Sequence, residues 1–67
     1  MPEDPLKNRE IIFEILPLGL YAKATAVDVA TMTEASISGP ASSGTEVLKH
    51  NALKRLEFVM RKKGLIA

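Results

Sequence analysis

Cysteine is absent from all 67 residues, so neither a disulfide nor a thiolate metal site can stabilise this chain. Tryptophan is missing too, and Phe13, Tyr21 and Phe58 are the only aromatics. Any core must therefore be built from Leu, Ile, Val, Ala and Met. No apolar run approaches the ~20 residues that a membrane-spanning helix needs. The opening MPEDPLKNRE is charged and lacks the apolar stretch of a signal peptide. These absences imply a soluble, cytoplasmic protein, and the lack of cysteine fits a reducing compartment. The length allows one domain over 1–67, and a chain this short buries only about 60% of its unfolded surface. Packing alone leaves it marginal, and dimerisation would help.

Catalytic and metal chemistry find little to work with. His50 is the single histidine, and only Asp28, Glu34 and Glu46, distant in sequence, could join it around a metal. Ser42 and Ser43 have no evident base and orienting acid, so neither reads as a nucleophile. The stretch SGPASSG has glycines but not the spacing of a phosphate-binding loop. The expectation is a protein that is not an enzyme, with no metal and no cofactor.

What is present is charge, unevenly spread. Residues 46–67 carry six cations (Lys49, Lys54, Arg55, Arg61, Lys62, Lys63) against Glu46 and Glu57, a balance of +4. Residues 1–45 carry Lys7, Arg9 and Lys23 against six acids, a balance of −3. One basic half is the distribution expected when one side of a protein meets an anion, although charged residues also coat ordinary solvated helices.

The pattern along the chain predicts three helices. Asp4-Pro5 reads as an N-cap and first-turn proline opening a helix over 5–16, which Pro17 stops, with Leu6, Ile12, Phe13, Ile15 and Leu16 available for the core. Tyr21–Thr25 alternates weakly and reads as a short extended piece. Thr25 with Asp28 forms a capping pair for a helix over 26–34 that exposes Asp28 and Thr31. Residues 35–44, ASISGPASSG, read as a flexible loop. The third helix, 44–63, is long. Ser43 and Glu46 look like its capping box, and Leu48, Ala52, Leu56, Val59 and Met60 form its core stripe. Its cationic last turn runs into Gly64 as the helix stop. The opposite face carries His50, Asn51, Lys54, Arg55, Arg61 and Lys62, interrupted by Val47 and Phe58.

The segment TAVDVATMT resembles the second helix of helix-turn-helix domains, with Thr25 as cap and Ala30 at the close-packing position. The ending ALKRLEFVMRKKGLI resembles the end of a winged-helix recognition helix, through Met60, Gly64, Leu65 and Ile66. The resemblance covers roughly residues 6–67. It implies a mainly α, three-helix, winged-helix-like fold, with the wing truncated or absent because Ala67 falls where it would begin. The loop over 35–44 is longer than that family's tight turn.

The resemblance also implies sequence-specific binding of double-stranded DNA, as in small prokaryotic, phage or plasmid transcriptional regulators. His50, Asn51 and Lys54 would then meet base edges in the major groove. Lys49, Arg55, Arg61 and Lys62 would contact phosphates, joined by Ser42, Ser43 and Thr45 at the helix N-terminus. The alternative expectation is a helical interaction or dimerisation module without DNA binding, whose partner interface is Val47 and Phe58, joined by Tyr21, meeting another helix or a second copy in a homodimer.

Overall fold

The computed structural model describes residues 4–67. Three strands lead to one helix: β1 (Ile11–Leu18), β2 (Tyr21–Asp28), β3 (Thr33–Pro40), a single 3-10 turn (Ala41–Ser43) and α1 (Thr45–Lys62). The strands form an antiparallel meander in the order β1-β2-β3. The mainly α, three-helix, winged-helix-like fold is therefore corrected to a sheet with one helix packed on it. Met1–Glu3, the start of the expected 1–67 domain, lie outside the described residues.

Each departure has a local cause. β1 is rich in Ile and Phe, residues that suit a pleated strand, and it replaces most of the helix expected over 5–16. Asp4 does cap, accepting the Leu6 amide at 2.9 Å, but the result is a turn over residues 5–8 that buries Leu6. Pro17 does not end a helix. It lies inside β1, an edge strand where a missing N–H breaks no ladder if it faces outward. Gly19 (φ 67°) and Leu20 then make a two-residue turn with glycine at its first position, the arrangement a type II′ hairpin favours.

The helix expected over 26–34 is not formed either. Its residues end β2, round a loop over 29–32 and begin β3, and Thr25 bonds to Ser36 across the sheet instead of capping a helix. Asp28, expected at the surface, is fully buried, while Met32 is exposed. Most of the loop expected over 35–44 is β3. Thr33, Ala35, Ile37 and Gly39 turn inward, and Glu34, Ser36 and Ser38 turn outward, the period-two alternation of a strand.

Only the last helix forms as its apolar stripe predicts. Leu48, Ala52, Leu56 and Met60 are buried, and Val59 is half-buried. The expected Ser43–Glu46 capping box is absent: Gly44 (φ 91°) occupies the N-cap with no side-chain cap bond. At the other end Gly64 (φ 75°) stops the helix, with the Leu65 amide bonded to the Met60 carbonyl at 2.9 Å.

α1 lies over β2 and β3. The inward residues of β2 are Ala22, Ala24 and Ala26, a floor of methyl groups that lets the helix sit close. Leu48, Leu56 and Met60 fill the gap from above, and Leu6 closes it beside β1. Among the described residues one face of the sheet is thus covered and the other is bare.

Candidate interaction surface

The bare face is set out by the strand register. From the β1–β2 turn outward its cross-strand rows are Leu18–Tyr21–Pro40, Leu16–Lys23–Ser38, Glu14–Thr25–Ser36 and Ile12–Val27–Glu34. Ile12, Leu16, Leu18 and Tyr21 keep 47%, 54%, 53% and 59% of their surface exposed, and Leu20 stands almost free in the adjoining turn. The apolar band therefore follows β1 and the turn end of β2. β3 contributes Glu34 and two serines. The charges on this face are Glu14, Glu34 and Lys23, so it carries a net negative charge.

At the far end of the sheet a buried polar knot fixes β1 relative to β2. Asp28 Oδ2 accepts from Arg9 Nη1 at 3.1 Å, from the Thr31 amide at 3.2 Å and from the Thr31 hydroxyl at 2.6 Å. The Thr31 hydroxyl lies 2.8 Å from that of Thr33, and the Val29 amide donates to the Glu10 carbonyl at 3.1 Å. Asp28 Oδ1 is buried without a partner. The Thr31 hydroxyl is the main influence holding the Asp28 carboxyl below the usual carboxylate range. Burial works against it, and the Thr31 amide and the Arg9 guanidinium add to the lowering. This knot also secures the loop in which Met32 adopts φ 55°, a left-handed conformation unusual for its residue type.

The residues expected to meet DNA are spread along α1 and the turn before it, most of them on the exposed side of the helix. Ser42 and Ser43 lie exposed in the 3-10 turn, and Thr45 opens α1, roughly 25 Å along the axis from Lys62. Lys49 is half-buried, pairs with Glu46 at 3.9 Å and hangs over the Phe13 ring at 5.9 Å. His50 is exposed on the same flank, with Phe13 and Leu53. Lys54 and Arg61 share Glu57, at 3.8 Å and 3.1 Å, and Arg61 also donates to the Ala67 carbonyl. Asn51 is exposed, and Arg55 and Lys62 are set over the Phe58 ring at 5.3 Å and 5.8 Å. Phe58 and Val47 are each half-exposed on the outer side of the helix, remote from the sheet.

Ile12, Leu16 and Leu18 are the surface residues missed in the sequence, whereas Tyr21 was expected in an apolar interface. Ile12 and Leu16 read there as core of a first helix. The signal that could have found them is the Ile-rich run followed by Leu18-Gly19, a strand entering a tight turn.

A family profile matches residues 8–63. The chain belongs to the DUF6898 family, a domain of unknown function. No curated protein and no solved structure matches it. The DUF6898 span takes in all three strands, α1, and both Arg9 and Asp28 of the knot. The segment TAVDVATMT, which carried the helix-turn-helix resemblance, runs from the end of β2 through the following loop to Thr33, the first residue of β3. A winged-helix transcription regulator thus loses its structural basis. Among the described residues no group of three His, Asp or Glu side chains is placed to hold a metal ion, and no helix is long and apolar enough to cross a membrane.

Proposed function

We propose that this domain is a homotypic association module, joining a second copy through the sheet surface that α1 leaves bare. The observation that carries the reading is the apolar band of Ile12, Leu16, Leu18 and Tyr21. A small domain with a thin core gains stability by covering such a band. The face is unsuited to nucleic acid, because two glutamates outnumber its one lysine. Having no cysteine, the assembly is non-covalent and needs no oxidising compartment, in keeping with a cytoplasmic setting.

Magnitudes suggest a concentration-dependent dimer. Covering four half-exposed apolar side chains on each copy is worth about 1 kcal/mol apiece, against an association cost on the order of 4–15 kcal/mol. Sedimentation equilibrium tests the reading: the mass should rise towards twice 7.3 kDa with concentration. Leu16→Lys should hold the chain at the monomer mass with its helix content unchanged in circular dichroism. A wild-type chain that stays monomeric at high concentration would overturn the proposal.

A further inference from the structure

The bare face carries charge as well as its apolar band. Lys23 on β2 is its one cation, with Glu14 on β1 and Glu34 on β3 as its anions. All three are exposed, and among the described residues none of them joins an ion pair within the chain. Glu14 and Lys23 stand in adjoining rows, since Leu16 pairs with Lys23 and Glu14 with Thr25. Two copies that bring these faces together must find partners for the charges they cover, because an unpaired ion in a dry contact is strongly unfavourable.

We propose that Lys23 of each copy pairs with the partner's Glu14 across a two-fold axis, which makes Lys23 the residue by which the face selects a second copy of itself. The inference rests on the association reading above and states how that surface recognises its partner.

The placement of the charges selects the axis. A closed dimer joins the same patch on both copies, and packed sheets keep their strands within about 30° of one another. An axis across the strands lays β3 on the partner's β3 and draws Glu34 into the contact. An axis along β1 sets Glu14 against the partner's Glu14, and one along β2 sets Lys23 against the partner's Lys23. An axis parallel to the strands and midway between β1 and β2 avoids all three, because β1 then lies over the partner's β2.

Each row now meets its own row. Leu18 lies over the partner's Tyr21 and Ile12 over the partner's Val27, so apolar side chains cover the apolar band. Leu16 lies over the partner's Lys23, whose methylene stem shields it while the ammonium reaches onward. Glu14 is one row further along β1, about 7 Å away, within the span of a lysine side chain. The two-fold axis repeats the contact, giving two ion pairs. β3, with Glu34 and its serines, stays outside, and both helices face outward. An apolar band alone accepts any apolar surface, whereas two reciprocal ion pairs reject a partner without a carboxylate at that place.

Charge reversal tests the pairing by sedimentation equilibrium, with folding checked by circular dichroism. Lys23→Glu and Glu14→Lys should each weaken self-association roughly tenfold or more, because each sets like charges at both contacts. Net charge does not account for the second result: Glu14→Lys merely turns one excess negative charge on the face into one excess positive charge. Mixing the two variants should give a heterodimer in preference to either homodimer. The double variant, with both reversals in one chain, should associate within about twofold of wild type. Where a reversal fails to fold, Lys23→Gln and Glu14→Gln replace it, and the two together should lose little more affinity than the larger single loss. Dimerising wild type with no rescue in the mixture or the double variant, or with additive losses in the glutamine series, would overturn the ion pair and leave the association reading in place. A monomeric wild-type chain would overturn both.

Discussion

Arg9 Nη1 lies 3.1 Å from Asp28 Oδ2, joining the residues that enter β1 to the last residue of β2. Asp28 is wholly buried and Arg9 partly so, which makes the pair a clamp at the end of the sheet opposite the Gly19 turn. The Thr31 bonds extend that clamp to the loop leading into β3.

Asp28→Asn keeps the shape but removes the charge that Arg9 and the Thr31 donors meet. It should cost about 1–3 kcal/mol at neutral pH, measured by urea denaturation. The pH dependence has a definite sign. A free carboxyl titrates near pH 4, and in the folded state that of Asp28 titrates lower. The native state therefore binds fewer protons than the unfolded one. Its stabilisation is complete above about pH 4 and is lost as the pH falls through the folded value. Wild type should weaken on acidification below about pH 4 more than Asp28→Asn does, and parallel curves would show that the knot contributes nothing.

A second prediction concerns how closely α1 approaches β3. A Cβ added to Gly39 would lie 2.9 Å from Leu48 Cδ2, inside contact distance. Leu48 is buried and has little room to give. Gly39→Val should therefore destabilise by about 1–3 kcal/mol despite the better strand propensity of valine. Combined with Leu48→Ala, it should cost less than the two single changes added together. Strict additivity in thermal melts would mean that the two positions do not meet.

The helix was legible because its signals were redundant. Leu48, Ala52, Leu56 and Met60 repeat at four-residue spacing, and Gly64 marks the end. The sheet lacked such agreement. Ile11 to Leu16 is apolar on both faces, so its period is neither two nor 3.6, and Pro17 looks like a helix stop when an edge strand tolerates it equally well. In β3 the inward positions are Thr33, Ala35, Ile37 and Gly39, too small and too polar to stand out from the serines between them. Thr25 and Asp28 have the spacing of a helix cap, yet their partners are Ser36 across the sheet and Thr31 in the loop. The bare face was illegible for a related reason. Leu16 and Leu18 look like core residues until the side of the sheet that α1 covers is known.

The last prediction separates the sheet from the outer side of the helix as the association surface. Phe58 and Val47 are half-exposed there, and Arg55 and Lys62 already occupy positions over the Phe58 ring. Removing the ring should cost little stability, because Leu56 and Met60, on the opposite side, hold the helix to the sheet. Lys54→Ala should cost no more than about 0.5 kcal/mol, since its 3.8 Å pair with Glu57 is exposed on the lysine side. If copies meet through the bare face, Phe58→Ala should leave the dimerisation constant within about twofold of wild type, whereas Leu16→Lys abolishes dimerisation. Sedimentation of the two variants at matched concentrations makes the comparison. Loss of dimer in Phe58→Ala with retention in Leu16→Lys would move the interface to the helix and reverse the assignment.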